Sequence, residues 1–239
     1  MIFKSLAIIL SLPLSTISFR PGKTVCSNSK KIITIPGLFN SAFDTGYFHN
    51  TVAMAPVSDT GNYYTSDVEG LPPTVRLNMP VPGNQGKQSS CSAWAIVYGA
   101  GNYYMHHTTG KPYSDSEYLS PAFIYNQLPK GSYGATAFMD NLELFRVEGA
   151  CSLKRMPYNA NDYSAQPDSA QCLDAAKYKI KGWRKIDMHD LILLKKALFQ
   201  KKPVIFFIST DEGFDKITSP FIWKERCGSF GTVHSMVIA

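Results

Sequence analysis

The sequence predicts an α+β chain in which a helical lobe precedes a β lobe, and three observations carry that reading. Helical periodicity is confined to the middle of the chain, strand-like apolar runs come late, and the composition suits a buried core: 44% of the 239 residues are hydrophobic and 18% charged. That balance excludes a disordered, collagenous or coiled-coil chain. After the first twenty residues no run of eighteen apolar positions is free of charge, which argues against an integral membrane protein. The 24 Lys and Arg outnumber the 18 Asp and Glu, but the excess is spread as doublets (Lys30-Lys31, Lys195-Lys196, Lys201-Lys202). Such spacing reads as solvated surface, not as a nucleic-acid footprint. No internal repeat is present.

Taken in order, residues 1–18 hold one charge, Lys4, then the apolar run from Leu6 to Leu14, then the small residues Thr16 and Ser18. This is the layout of a secretory signal, too short to span a membrane, and it predicts a secreted or periplasmic protein whose fold excludes this segment. Export favours disulfides, so the five cysteines at 26, 91, 151, 172 and 227 leave at least one unpaired. Cys151 and Cys172 bracket a turn-rich stretch and form a candidate bridge, worth about 3 kcal/mol by loop entropy. Cys26 and Cys227 are left open between pairing and remaining free.

Residues 19–70 are rich in Gly, Ser, Thr, Asn, Tyr and Pro, show no helical period and read as a linker or short lead segment. From Leu71 the pattern is dense. Trp94, Val97, Tyr98, Gly101, Tyr104 and Met105 recur at three- and four-residue steps, predicting a helix over residues 92–107. Ser120-Pro121 marks a second helix start, with the serine hydroxyl as cap. A third helix is expected over residues 140–147, ending before Gly149. A fourth follows Asp190, with Leu191, Leu194, Ala197 and Leu198 on one face and Lys201-Lys202 near its negative end. Pro203 ends it. Val204-Ile205-Phe206-Phe207-Ile208 then reads as a buried strand, and Ser235-Met236-Val237-Ile238 as a last one.

The stretch Gly83-Asn84-Gln85-Gly86-Lys87-Gln88-Ser89-Ser90-Cys91 is a polar, glycine-bearing loop that delivers Cys91 to the first turn of the first helix. Unsatisfied N–H groups and the helix dipole favour an anion there, so the thiol is poised to ionise. A lone cysteine is otherwise a small buried hydrophobe. His234, in Gly231-Thr232-Val233-His234-Ser235, opens the last expected strand 143 residues after Cys91.

Gln85, Gly86, Ser90, Cys91 and Ala93 resemble the active-site loop of papain-like cysteine peptidases, in which the histidine follows about 130–150 residues downstream. Leu71-Pro72-Pro73, Leu119-Ser120-Pro121 and Lys202-Pro203-Val204 extend the likeness over residues 71–239, and the loop is similar to that of secreted bacterial members. The resemblance implies a two-lobe papain-like fold, helical on one side and barrel-like on the other. It implies a peptidase with Cys91 as nucleophile, His234 as base and Gln85 as oxyanion donor, working on peptide or protein substrates as a monomer. No metal or organic cofactor is implied, and neither a nucleic acid nor, after signal removal, a membrane as partner.

Three departures qualify the likeness. Gln88 and Ser92 replace a Cys and a Trp carried by many members. The lead segment lacks the helical pattern of a long inhibitory propeptide. No Asn follows Asn161, so the family's His-orienting Asn has no counterpart and the C-terminal part of the domain is expected beyond Ala239. The competing expectation is therefore a catalytically inactive papain-like binding module or fragment. A further one is another thiol acyl-transfer enzyme, such as an amidase or transglutaminase.

Other residues carry less. His106 and His107 are adjacent on a helix and face apart, a poor metal geometry, so they read as surface. His189 belongs with the fourth helix cap and His49 with the lead segment. Gly131 only loosely matches a substrate-binding glycine of the family.

Overall fold

The structure is a computed structural model that describes residues 6–11, 70–114, 116–128, 134–187, 189–218 and 228–239. Cys26, His49, Gly131 and Cys227, and all of the lead segment but Gly70, lie outside the described residues. The first helix runs without a break through three segments: α1 (Cys91–Ala93), a π-helical segment π1 (Trp94–Gly101) and α2 (Asn102–Thr109). It closes at Gly110, whose φ of +67° lets its N–H return to the His106 carbonyl at 2.9 Å. The expected helix is thus present. Its widened central turn was not foreseen, because spacings of three and four do not separate α from π winding.

Buried Asn102 locks this helix to the next loop: its Oδ1 accepts from the Leu119 N–H at 2.7 Å while its Nδ2 donates to the Tyr98 carbonyl at 2.8 Å. There α3 (Pro121–Tyr125) begins at the expected proline, but the Ser120 hydroxyl makes no capping bond. Helix α4 (Phe138–Val147) starts two residues before its expected beginning. Helix α5 (Ser169–Ala175) was not anticipated, although Asp168 and Gln171 form a reciprocal capping box, each bond 2.8 Å.

The candidate Cys151–Cys172 bridge is corrected: Cys151 is a free thiol, and Cys172 on α5 is disulfide-bonded to a partner outside the described residues. Cys151 is instead fully buried at the Leu119–Ser152 bridge, where its carbonyl accepts from the Ser120 N–H at 2.8 Å.

Strands β1 (Leu6–Ser11), β2 (Gly182–Asp187), β3 (Val204–Asp211) and β4 (Phe230–Ile238) form one antiparallel sheet in the order β2-β1-β3-β4. Among the described residues this is an open sheet, not the barrel-like lobe that was expected. The sequence reading also set residues 1–18 apart from the fold. In the full-length chain Leu6–Ser11 pair with β2, and Leu6–Ile9 also pair with Val204–Phe207 of β3. Helix α6 (Leu191–Phe199) is capped by Asp190, whose Oδ1 accepts from the Leu193 N–H at 2.8 Å, and the short α7 (Glu212–Asp215) follows β3.

Strand β4 begins well before Ser235, so His234 sits in its middle, opposite Ile208 of β3, and does not open it. Ile96, Val97, Phe123, Tyr125, Leu142, Phe145, Ile180, Val204 and Ile205 are buried in one core that joins helices to sheet. At about 1.5–3 kcal/mol per large apolar side chain, this core holds the helices against the sheet, and partly buried Val237 and Ile238 of β4 pack on it. Among the described residues no helix is long and apolar enough to cross a membrane.

Candidate active site

The loop before Cys91 is held from outside itself. Tyr158, from the turn-rich stretch after Cys151, donates its hydroxyl to the Gln85 carbonyl at 2.8 Å and lies 2.7 Å from the fully buried Ser90 hydroxyl. Since the phenol has one proton, Ser90 is then the donor to Tyr158. The Tyr158 ring meets the Trp94 indole edge-on, centroids 4.9 Å apart. Gly83 packs against that indole so closely that a Cβ would lie 2.1 Å from it. Gly86, at φ +60°, makes the turn inside the loop, and its N–H bonds the Asn84 side chain at 2.8 Å.

Gln88 is buried and donates to the Asn159 carbonyl at 3.4 Å, so a hydrogen bond ties these two loops. Gln85 Nε2 donates to the Gln88 carbonyl at 3.0 Å. An amide carries two N–H groups, so this bond orients the side chain and leaves its second N–H available.

Cys91 is the first residue of α1, where backbone N–H groups have no partner within the helix. His234 reaches it from β4. Burial raises the Cys91 thiol pKa. Outweighing burial are the hydrogen bond with His234, one with the Ser235 backbone, the His234 charge and a hydrogen bond with the Ser235 hydroxyl, so the net pKa is lowered. Phe214, on α7, approaches the His234 ring at a tilt, centroids 6.4 Å apart.

Of the sequence-predicted residues, Cys91 and His234 are brought into contact, and Gln85 stands in the loop that leads to the thiol. Tyr158, Asn159 and Ser235 were missed; Tyr158 contacts partners 68 and 73 positions away, and no local pattern signals such a reach. His106 and His107 stack on Tyr113 and Tyr103, and the His189 carbonyl accepts the Leu191 N–H at 3.1 Å at the start of α6. Among the described residues no group of three or more His, Cys, Asp or Glu is arranged to hold a metal.

A cysteine at a helix start facing a histidine on a strand, over a mixed helix and sheet core, is the arrangement of a papain-like fold. A solved structure bears this out: xylellain, a cysteine protease from Xylella fastidiosa, matches with a TM-score of 0.57 and 22% identity over 70% of this chain and 69% of its own. At that identity the likeness speaks for the fold. No family model matches the sequence, and no curated protein does either.

Proposed function

We propose that this chain is a secreted cysteine endopeptidase with the two-lobe organisation of papain-like enzymes, residues 1–18 being its secretory signal. The observation that carries the reading is the Cys91–His234 contact at the start of α1, with the thiol pKa lowered. In the reaction Cys91 gives its proton to His234 and the thiolate attacks the scissile carbonyl carbon. The oxyanion is held by the Cys91 N–H and the second N–H of Gln85, whose carbonyl and amide are both fixed by neighbours. As the tetrahedral adduct collapses, the C–N bond breaks and His234 passes the proton to the leaving amine. Water, deprotonated by His234, then hydrolyses the thioester and returns Cys91.

The test is hydrolysis of fluorogenic peptide amides by wild type, Cys91→Ala and His234→Ala, with an epoxide electrophile to mark the reactive thiol. Turnover abolished in both variants, with label on Cys91, is the expected result. Absence of turnover and of Cys91 labelling in a folded wild-type protein would overturn it in favour of an inactive binding module. N-terminal sequencing of the secreted product, expected to begin at Phe19, tests the signal.

A further inference from the structure

Each of the two reactive residues is followed by a serine: Ser92 after Cys91, and Ser235 after His234. Their hydroxyls meet at 3.1 Å, and both side chains are buried. The helix and strand are close enough for this because of the residues on either side. Two turns further along, Gly99 lies against Val237, where a Cβ would come within 2.9 Å of the valine methyl. Ser92 stands where many papain-like enzymes carry a tryptophan, and an indole at that place would occupy the space the hydroxyl leaves to Ser235.

We propose that the Ser92–Ser235 hydroxyl pair is a proton-donor relay that holds the Cys91 thiolate, with Ser235 as donor to the sulfur and Ser92 as the residue that orients it. This deepens the cysteine peptidase reading and rests on it. A thiolate accepts hydrogen bonds and donates none, so Ser235, which bonds Cys91 through both hydroxyl and backbone, spends its one hydroxyl proton there. The 3.1 Å bond then has a single direction, Ser92 donating to Ser235. Buried hydroxyls bonded in series keep that direction, which makes the pair a preset dipole aimed at the sulfur.

The charged surroundings leave room for such a term. Segments π1, α3, α4 and β4 pack against α1. The first two carry no charged residue, though Tyr98 and Tyr125 are titratable, and β4 brings His234. Helix α4 brings Asp140, Glu143 and Arg146, of which the last two pair at 2.5 Å. The charge acting on Cys91 is that of His234. Ser235 adds a neutral donor to that charge.

The test is titration of the Cys91 thiolate by its ultraviolet absorbance and by the pH dependence of iodoacetamide labelling, in the full chain with Cys91→Ala as baseline. Neither readout needs a substrate. Ser235→Ala is expected to raise the midpoint by about one pH unit, a roughly tenfold loss of thiolate on the acid side. Ser92→Ala is expected to move it the same way by less, and Ser235→Thr, which keeps the hydroxyl, to restore it. If Ser235→Ala does not fold, Ser92→Ala and Ser235→Thr still decide. A midpoint unmoved in folded Ser235→Ala or Ser92→Ala overturns the relay. A wild-type Cys91 that titrates as an ordinary thiol overturns the peptidase reading itself, so the two failures are told apart.

Discussion

Tyr158→Phe is the sharpest probe of how the nucleophile loop is held. The substitution deletes one oxygen and keeps the ring that meets Trp94 at 4.9 Å. Lost with that oxygen are the bond to the Gln85 carbonyl at 2.8 Å and the contact with the Ser90 hydroxyl at 2.7 Å. A typical intramolecular hydrogen bond contributes about 1 kcal/mol net, and a buried hydroxyl left without a partner costs about 1–3 kcal/mol. Ser90 is fully buried and Gln85 half-buried. The sum is about 2–4 kcal/mol, or a fall in Tm of roughly 4–16 °C for a chain of this size. On the proposed mechanism a slackened Gln85 holds the oxyanion less well, so kcat is expected to fall about tenfold while KM holds. Thermal melting and fluorogenic peptide kinetics read the two effects. A Tyr158→Phe protein with wild-type Tm and kcat would refute the claim that this phenol organises the loop.

Three further outcomes are expected. At pH 6 iodoacetamide should modify Cys91 and spare Cys151, because the Cys91 pKa is lowered whereas burial and the Asp174 charge push that of Cys151 up to about 12; equal labelling would contradict this. It follows that activity persists below the pH range of an ordinary thiol and is lost only as pH falls through the lowered Cys91 value. Gln85→Ala should lower kcat by about 10²–10³ and stability by only about 1 kcal/mol, the side-chain bond lost being that to the Gln88 carbonyl; near-full activity would remove Gln85 from the proposed oxyanion site. Gly149→Ala should destabilise by more than about 2 kcal/mol in denaturant titration, because φ is +83° and the new Cβ would stand 2.0 Å from the Ala175 carbonyl oxygen; a stable variant would mean the α4–α5 corner is looser than described.

What was legible in the sequence was whatever leaves a local mark. Pro203, Asp190 and the glycine-bearing loop before Cys91 act on the few residues beside them, and the elements they announce are present. The Asp168-Gln171 box is an equally local mark, but it stands in a turn-rich stretch that ends at a cysteine, and that context reads as a stapled loop. Other elements have no local mark. Four of the six residues of β2 are polar or glycine, so its residues alone do not announce it, and in the full-length chain its register is set by pairing with β1. The first half of β4 is set by register with β3 across an irregularity between Ser209 and Asp211. At the site, Cys91 and His234 were found through spacing and local context. Tyr158 and the Ser92–Ser235 contact depend on chain segments 68 and 143 positions apart, which only the folded core brings together.

The position of His234 is thereby a property of the packing between the first helix and β4, and that packing has a tight point distant from the reacting atoms. Gly99 carries no side chain where a Cβ would stand 2.9 Å from the Val237 methyl, against about 3.4–4 Å for ordinary contact. Gly99→Ala must therefore displace Val237, and with it the strand three residues beyond His234, by roughly 0.5–1 Å. Neither residue touches the thiol. Misplacement on the order of 1 Å at reacting groups can cost about 10²-fold in rate, so kcat is expected to fall by one to two orders of magnitude. Alanine favours helices, which offsets part of the steric cost, so stability should change by less than about 1–2 kcal/mol. Adding Val237→Ala makes the room that Gly99→Ala consumes and should recover most of the lost rate, a non-additivity that marks direct contact. Wild-type turnover in Gly99→Ala, or a double variant slower than either single one, would show that helix–strand spacing does not set the Cys91–His234 geometry.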